Sequence, residues 1–400
     1  MKKYYLNDME IACSLGANKE IVFQNLMHAD VRSSEKEINL ISGRSCIEMT
    51  LPFDLPSVPD SFQKYQSKNN QLLYHLFQGV QHAVSLAVQK YSKQRIGIVM
   101  GTSSSGMKEG EDAYAYYAKN KIWPNTYTYQ QQEVSSLSDF AAAFFQVTGP
   151  SYTISTACSS ATKALASARR LLEANICDAV IVGGADTICD IIRNGFDSLD
   201  LISQNRAIPF SKNRKGITLG TGGAVFLMSK EDLLDNNPPF LSGYGETSDA
   251  SHISAPDPSG KMPEQAIHDA LNMAKIQPNN IDYINLHGTG SQLNDTMEGA
   301  CIDRIFKETP ISSTKALTGH TLGACGAVEA AILWMSLMNH QNEALFLPPH
   351  FYDNQPENTA LSFAKTKQTI PLKQEINMLS NTFAFGGNNA SVIISKCYQI

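Results

Sequence analysis

The sequence predicts an α/β fold with mainly parallel sheets and with helices on their faces. Short apolar stretches of the kind that form buried strands, such as residues 95–101 and 179–185, alternate with longer stretches that repeat apolar residues at helical spacing. The alternation begins again after the turn-forming stretch N-N-P-P at residues 236–239. Strands that alternate with helices are typical of parallel sheets covered by helices.

The first half of the chain, residues 1–238, contains the clearest helical pattern. In residues 71–93, apolar side chains recur at the spacing of one helix face. Residues 30–66 are polar and contain prolines, which predicts surface chain, and residues 108–133, rich in Tyr and Gln, are predicted to be irregular. Strands are predicted at residues 4–12, 95–101, 152–156, 179–185 and 220–228, and helices at residues 19–28, 71–93, 134–147 and 161–172.

The second half, residues 239–400, follows a similar order of elements, although no sequence repeat proves a duplication. Strands are predicted at residues 240–244, 281–286, 311–314, 376–383 and 390–396, and helices at residues 263–274, 295–306 and 321–338. We therefore expect two similar halves that meet near residue 238.

Composition excludes several classes of protein. The 400 residues are 42% hydrophobic and 18% charged, so the chain can bury a full core. A net charge of −6, with no run of Lys or Arg longer than a pair, argues against nucleic-acid binding. The eight cysteines lack zinc spacing, which suggests a reducing compartment. Without a signal peptide or an apolar run approaching ~20 residues, we expect a cytoplasmic protein that does not enter the membrane.

Cys158 is the first candidate functional residue. It lies in the small-residue stretch S-T-A-C-S-S, between a predicted strand and a predicted helix. At a helix N-terminus the unpaired amides and the helix dipole favour a thiolate, which lowers the pKa of cysteine from its usual ~8.5. This placement predicts a nucleophile, and the alternative is a buried, inert cysteine.

Three further motifs lie at predicted strand ends or helix starts. L-H-G-T-G-S places His287 after an apolar strand, where ligands gather in parallel α/β sheets. T-K-A-L-T-G-H-T-L-G-A contains Lys315 and places His320 at the opening of an apolar helix. In N-T-F-A-F-G-G-N-N-A-S a glycine pair beside two phenylalanines suggests backbone pressed against a ligand. Taken singly, these residues could instead be a structural histidine, a capping histidine and a surface lysine.

Together the four motifs resemble the β-ketoacyl-acyl-carrier-protein synthases of the thiolase superfamily, specifically the elongating Cys-His-His type. T-A-C-S-S matches the nucleophile motif, H-G-T-G-S the first histidine motif, K-A-L-T-G-H-T-L-G-A the lysine and second histidine, and N-T-F-A-F-G-G-N-N-A-S the closing loop. The resemblance runs from the opening strand to Ser391. It implies a thiolase-like fold, in which two similar βαβαβ halves form a layered α-β-α-β-α architecture.

The resemblance also implies an acyltransferase activity. An acyl chain bound to Cys158 would be condensed with malonyl-acyl-carrier protein in a decarboxylative Claisen reaction. His287 and His320 would stabilise the enolate from neutral rings, and Lys315 would bias the electrostatics near His287. The backbone amides of Cys158 and Phe385 would form the oxyanion hole, and Phe385 would also act as a gate.

Other site residues follow from the same resemblance. It implies pantetheine contacts for Thr289 and Ser291 and an orienting role for Glu298 and Glu329. A monovalent cation could be held by a set of five residues, which are Asn285, Glu298, Glu329, Ser380 and Asn381. Neither an organic cofactor nor a required metal is expected, because the phosphopantetheine of acyl carrier protein carries the substrates.

Several departures from the family pattern suggest a specialised polyketide or polyene pathway, such as an aryl polyene pathway, rather than housekeeping fatty-acid synthesis. The closing loop reads A-F-G-G-N-N where relatives commonly have G-F-G-G-T-N, so Ala384 is expected to stiffen the gate. Ser104 falls at the pocket floor, where a small residue would admit a long or rigid acyl chain. The stretch Y-T-Y-Q-Q-Q, residues 127–132, is polar for a fatty-acid tunnel and falls where a partner subunit completes the pocket.

Basic residues replace the acidic ones usual in relatives at residues 208–216, and they predict a surface for an acidic carrier protein. They are Lys212, Arg214 and Lys215, joined by Lys64 and Lys68. Relatives form dimers through the strand before the nucleophile, so residues 152–156 are expected at an interface with an identical or a ketosynthase-like partner.

Three alternative functions remain at this point. A non-catalytic partner like a chain-length factor usually lacks the cysteine, which this chain retains. A CoA-using thiolase would have a second cysteine in the closing loop, where this chain has Phe-Gly-Gly. A cysteine hydrolase would leave the second histidine and the lysine without a role.

Overall fold

The computed structural model describes residues 2–29, 34–341 and 343–399. Its first half alternates strands and helices. Its strands are β1 (Tyr5–Ala12), β2 (Glu35–Asn39), β3 (Ser45–Met49), β4 (Ile96–Gly101), β5 (Ser151–Ile154), β6 (Ala179–Asp186), β7 (Leu219–Gly220) and β8 (Gly222–Ser229). Its helices are α1 (Lys19–His28), α2 (Lys68–Tyr91), α3 (Met107–Asn120), α4 (Ser136–Phe145), α5 (Ser160–Glu173) and α6 (Asp190–Ser198).

The second half repeats this alternation. Its strands are β9 (Phe240–Ser248), β10 (Tyr283–Asn285), β11 (Ile311–Ser312), β12 (His340–Gln341), β13 (Ala344–Phe346), β14 (Thr369–Pro371), β15 (Glu375–Ala384) and β16 (Asn388–Cys397). Its helices are α7 (Lys261–Ala274), α8 (Gln292–Ile305), α9 (Lys315–Thr318) and α10 (Cys325–Met338).

The two halves build one ten-stranded sheet with the order β11-β10-β15-β16-β9-β1-β8-β6-β4-β5. Each half contributes five strands, and counted along the chain they lie in the same spatial order, third, second, fourth, fifth, first. The two sets meet where Tyr5 of β1 pairs with Phe240 of β9. This shared order gives the two halves equivalent strand ends, at which the candidate motifs lie.

Helices cover and separate the two five-stranded sets. Helices α5 and α10 contact each other and strands of both sets, so they form the central layer. Helix α2 packs on β1 and β8 from outside, and α7 packs on β9 and β16. The result is the layered α-β-α-β-α, thiolase-like arrangement that the sequence resemblance implied.

The central layer is closely packed because glycines lie at its contacts. A Cβ atom on Gly101 of β4 would come within 2.5 Å of the backbone nitrogen of Ala161 on α5. A Cβ atom on Gly326 of α10 would overlap Thr162 on α5. These approaches bring the first turn of α5 close to the first turn of α10, and the active-site residues lie around both.

The expectation of mainly parallel sheets was wrong, because the sheet is mixed. Strands β4, β5 and β6 run parallel, as do β10, β11 and β15, whereas β1, β8, β9 and β16 pair antiparallel with their neighbours. Strand β8 is buried along its whole length and is apolar up to Ser229, although it pairs antiparallel with both of its neighbours.

Two surface stretches are more ordered than expected. Residues 108–133 contain α3, which buries only Ala113 and therefore shows no apolar stripe in the sequence. Residues 34–66 contain β2 and β3, which form a small sheet with β7. Helix α6 was also missed, although it provides part of the candidate site. No helix in the described part of the chain is long and apolar enough to span a bilayer.

Candidate active site

Cys158 lies in the tight turn between β5 and α5 and exposes only 7% of its surface. Ala157, directly before it, has a φ of 52°, a left-handed conformation that is costly for a residue with a Cβ. Two serine hydroxyls hold this turn. Ser159 Oγ donates to the Thr156 carbonyl at 2.8 Å and Ser160 Oγ donates to the Ala157 carbonyl at 2.6 Å. The strained turn places the Cys158 side chain just before the first turn of α5.

The two predicted histidines lie beside the sulfur. His320 Nε2 is 3.0 Å from Cys158 Sγ, and the His287 ring is perpendicular to the His320 ring at a centroid distance of 5.5 Å. One side-chain nitrogen of each histidine and the sulfur all lie within 4.8 Å of one another. His320 does not open the long helix, as the sequence suggested, but lies in the connection between α9 and α10.

Lys315, the first residue of α9, supports His287 from behind. Its Nζ donates to the His287 carbonyl at 2.5 Å, lies 3.4 Å from His287 Nδ1 and forms an ion pair with Glu329 of α10. Glu298 of α8 accepts the backbone N–H groups of His287 and Gly288, each at 2.8 Å. The predicted lysine and both predicted carboxylates therefore surround His287.

Burial dominates the electrostatics of the two histidines. It lowers the pKa of His287 and of His320 well below the usual 6.5, and the positive charge of Lys315 acts in the same direction. Burial raises the pKa of Glu298 to about 8 and that of Glu329 to about 7. Both imidazoles are therefore neutral near pH 7, as the sequence resemblance implied.

The expectation of a resting thiolate at Cys158 was wrong. Burial raises the pKa of the Cys158 thiol to about 11, although Lys315 and the backbone N–H groups of Phe385 and Cys158 act to lower it. The loss of water around the sulfur outweighs the favourable dipoles at the start of α5. The group that faces a substrate is a thiol next to a neutral histidine.

The backbone N–H groups of Phe385 and Cys158 are both directed at the Cys158 sulfur. Phe385 opens the turn between β15 and β16, in which Gly386 and Gly387 have φ values of 75° and 69°. Its ring stacks on Phe196 of α6 at 5.5 Å between centroids. The turn thus places one backbone donor and one aromatic ring beside Cys158.

Two cavities meet at this pair of rings. The first, of about 310 Å³, is lined by Cys158, both histidines, Thr289 and Ser291. The second, of about 420 Å³, is mostly apolar and also includes Cys158, and its walls come largely from α6, namely Ile191, Ile192, Gly195, Phe196 and Leu199. Sequence reasoning missed this wall, although the spacing of these residues is helical and could have revealed it.

Ser104 lines neither of these two cavities but a third, of about 270 Å³, which shares Ser103 and Ser155 with the second, so its place at the pocket floor stays a prediction. Its Oγ donates to the buried Asp186 at 2.5 Å, and Ser103 lines the apolar cavity instead. Asp186 also accepts from Thr102 Oγ and from the Ala324 backbone at the start of α10. This carboxylate fixes the Ser104 side chain and was not identified from the sequence.

The predicted basic surface also needs correction, because Arg214 is buried. Its guanidinium lies 2.7 Å from Glu357 and 3.9 Å from the fully buried Asp295, and it donates to the backbone carbonyl groups of Ser211 and Gln292. Lys64, Lys68, Lys212 and Lys215 remain exposed, and Lys215 lines the first cavity.

Arg214→Met is expected to reduce the free energy of unfolding by about 3–5 kcal/mol, because Asp295 would be left as a buried charge without its cation. Lys215→Met, the neighbouring substitution at an exposed position, is expected to change it by less than about 0.5 kcal/mol. Urea unfolding followed by circular dichroism measures both. Equal effects of the two variants would contradict the structural role of Arg214.

The donor set near Glu329 fits a monovalent cation. Asn285 Oδ1, Ser380 Oγ and Glu329 Oε2 are buried without a hydrogen-bond partner in the described structure. Asn285 and Ser380 pair in register on neighbouring strands, and Asn381 donates to Glu298. Unpaired oxygen atoms of this kind are the ligands that a hard cation prefers.

Comparisons with known proteins agree with this arrangement. The family model described as beta-ketoacyl synthase, N-terminal domain, matches residues 63–233, and the one described as beta-ketoacyl synthase, C-terminal domain, matches residues 240–345. Each matched stretch contains motifs described above.

Individual relatives cover most or all of the chain. A chain of the complex of a ketosynthase with its chain length factor from Xenorhabdus doucetiae is 39% identical, with a TM-score of 0.91 over 99% of this chain and 98% of that one. The 3-oxoacyl-acyl-carrier-protein synthase 2 of Coxiella burnetii is 27% identical over 78% of both chains. The corresponding synthase 1 of Buchnera aphidicola is 26% identical over 99% of this chain and 100% of its own length.

Proposed function

The chain belongs to the β-ketoacyl synthase family of acyltransferase-type enzymes, and from this premise we propose that it condenses a Cys158-bound acyl chain with malonyl-acyl-carrier protein. The observation that carries the proposal is the 3.0 Å contact between His320 Nε2 and Cys158 Sγ, with His287 beside it. Both halves of the reaction can be derived from this geometry.

In the first step the Cys158 sulfur attacks the thioester carbonyl of an acyl-carrier protein. The Cys158 thiol proton passes to His320 Nε2, and the backbone N–H groups of Phe385 and Cys158 stabilise the oxyanion. When the intermediate collapses, the pantetheine sulfur leaves and takes up this proton. Since one thiol is consumed and one is released, the step needs no external base.

In the second step the malonyl carboxylate leaves as carbon dioxide, and the electron pair forms an enolate that attacks the acyl carbon on Cys158. The bond from this carbon to the Cys158 sulfur then breaks, and the thiolate that leaves takes up one proton from solvent to restore the thiol. Lys315 lies 3.4 Å from His287 Nδ1 and can donate to it, so His287 would carry its hydrogen on Nε2 and donate to the enolate oxygen. His320 Nδ1 has no hydrogen-bond partner in the described chain, so no contact at Nδ1 favours one tautomer of the His320 ring over the other. Nε2 can thus accept in the first step and donate in the second.

The substrates in this proposal are carried on phosphopantetheine, and no organic cofactor takes part. The pantetheine arm would lie in the first cavity, where Thr289 and Ser291 face it and Lys215 lies at the edge. A monovalent cation would be held by Asn285, Ser380, Asn381, Glu298 and Glu329, where it offsets the charge of the buried carboxylates.

The proposed partners are an acyl carrier protein and a second ketosynthase-like chain. Strand β5 ends the ten-stranded sheet and has a free edge in the described structure. The 39% identical chain comes from a complex of a ketosynthase with a chain length factor, which supports a heterodimer. That comparison also supports the second candidate, a non-catalytic chain-length-factor-like subunit. The specialised polyketide or polyene pathway rests on the departures from the family pattern at Ala384 and residues 127–132.

Mass spectrometry separates the two candidates. The protein, alone and with any co-purifying partner chain, is incubated with acyl- and malonyl-acyl-carrier proteins and its intact mass is measured. We expect one acyl group on the peptide that contains Cys158, and release of a chain two carbons longer. If no acyl donor labels Cys158, the non-catalytic subunit is the better interpretation.

We expect kcat/KM for condensation not to fall as the pH drops through about 6.5, where an ordinary histidine would become protonated. Because the pKa of each imidazole lies well below 6.5, both rings keep their neutral form as the pH falls through that value. The test is kcat/KM between about pH 5.5 and 8.5, with folding checked at each pH. A midpoint near 6.5 that persists in the Glu329→Gln variant, where the carboxyl with the pKa of about 7 is gone, would contradict the assignment.

A further inference from the structure

Lys163 lies on α5, five residues after the nucleophile, and it plays no part in the steps above. Its side chain is half-buried, and its Nζ donates to Asn388 Oδ1 at 2.9 Å. No carboxylate lies within ion-pair distance of it in the described structure, and the nearby Glu246 pairs with Arg170. The ammonium group has lost part of its hydration without gaining a carboxylate partner, so the hydrogen bond to Asn388 is the contact through which it can act.

Asn388 is well placed to control the loop that contains Phe385. It begins β16 and pairs in register with Ala384, the last residue of β15. These two residues form the base of the turn Phe385–Gly387, whose two glycines with positive φ allow it to change shape. The turn and its two base residues, residues 384–388, are called the gate loop below. A hydrogen bond to Asn388 therefore acts on the base of the gate loop.

Other contacts hold the gate loop from the opposite side. The Gly386 N–H donates to the Ile253 carbonyl at 2.8 Å, and the Asp249 N–H donates to the Gly387 carbonyl at 2.9 Å. Both partners belong to the segment after β9, which lines the first cavity with Asp249 and Ser254. Lys163 is thus a tether between the gate loop and the helix that follows the nucleophile.

We propose that the Lys163–Asn388 hydrogen bond sets the closed position of the gate loop, which makes Lys163 a positioning residue for Phe385. With the bond in place, the Phe385 N–H points at the Cys158 sulfur and its ring stacks on Phe196 between the two cavities. Without it, the loop opens more often, which exposes the sulfur and moves the donor away. The consequence for acyl transfer rests on the proposed function, whereas the exposure of Cys158 does not.

Alkylation of Cys158 by iodoacetamide tests the tether without any assumption about activity. Peptide mapping by mass spectrometry gives the rate at Cys158 itself, apart from the partly exposed Cys397. We expect Lys163→Met to raise this rate by about tenfold, the effect of losing one hydrogen bond to a charged group. The matched control is Lys93→Met, since Lys93 also donates to a neutral amide, that of Gln146, but lies at an exposed site away from the loop.

Acylation kinetics test the positioning role. Lys163→Met is expected to lower kcat for acylation of Cys158 more than it changes KM, and Lys163→Arg, which keeps a cationic donor, should restore most of the loss. If loss of the Lys163–Asn388 hydrogen bond causes the lower kcat, the double variant Lys163→Met/Asn388→Ala should have a kcat no lower than that of either single variant.

The outcomes separate the two proposals. Equal alkylation rates for Lys163→Met, Lys93→Met and the wild type, or additive effects of the Lys163 and Asn388 changes, would overturn the tether. Faster alkylation of Lys163→Met in a protein that no acyl donor labels would support the tether and contradict the proposed condensation.

Discussion

Cys158→Ala is expected to lower condensation by at least about 10⁴-fold, because no acyl-enzyme can form without the sulfur. Decarboxylation of malonyl-acyl-carrier protein should continue, since His287 and His320 are still present to stabilise the enolate. The measurement is a mass-spectrometric time course that follows elongated product and acetyl-acyl-carrier protein separately. Loss of both products would mean that the sulfur, or the fold around it, is also needed for decarboxylation.

Three controls make this result specific. Cys325→Ala removes the neighbouring buried thiol, whose Sγ donates to the Cys158 carbonyl at 3.3 Å, and should leave acylation in place. His287→Ala should keep acylation but slow decarboxylation by about 10²–10³-fold, the effect of one lost oxyanion donor. His82→Ala, at an exposed position, should change neither step. Condensation by Cys158→Ala at the wild-type rate would place the nucleophile elsewhere.

The fold could be predicted where burial leaves a periodic signal. Helix α2 has one apolar face, β4 is apolar along its whole length and β6 is apolar up to Asp186, so their positions follow from composition and spacing. Helix α3 could not be found this way, because it lies on the surface and buries a single residue. Strand direction could not be predicted either, because a strand covered on both faces has the same apolar sequence pattern whether its neighbours run parallel or antiparallel.

The site was predicted from motifs more completely than from physical reasoning. The motifs identified Cys158, His287, Lys315 and His320, and the structure places them together. The ionisation state of Cys158 was not predictable, because it depends on how deeply the turn is buried and not on the helix dipole alone. The orientation of Ser104 and the burial of Arg214 depend on Asp186 and on Asp295, which lie far from them in sequence.

Breaking the buried ion pair between Lys315 and Glu329 is expected to cause a large loss of unfolding free energy. Each residue exposes 1% of its surface. Burial acts to lower the pKa of Lys315, but Glu329 together with Cys325 and Glu298 outweighs it and the pKa is raised, so the lysine is charged. Lys315→Met should therefore cost about 3–5 kcal/mol of unfolding free energy in alkaline solution, because Glu329 would be a buried charge without a partner.

The unfolding free energy lost in Lys315→Met should depend on pH, and the pKa of Glu329 decides whether the loss grows or shrinks as the pH rises. Burial already raises the pKa of Glu329 to about 7, and without Lys315 it rises further above the unfolded value of 4.5. Between these two values the folded variant holds a proton that the unfolded chain has released, so its stability falls as the pH rises, by up to about 1.4 kcal/mol per unit. The wild type, measured in parallel, removes the contributions of other groups.

A second substitution tests whether the unpaired carboxylate is the cause. Lys315→Met/Glu329→Gln has no charge at this position, so it should be more stable than Lys315→Met at about pH 8.5 and should lose the extra pH dependence. Urea unfolding of the wild type and the two variants at about pH 6 and 8.5 gives the six free energies that are needed. A Lys315→Met loss that is equal at both values, or a double variant no more stable than the single one, would show that Lys315 does not stabilise a charged Glu329. His287 would then owe its position to Glu298 rather than to this ion pair.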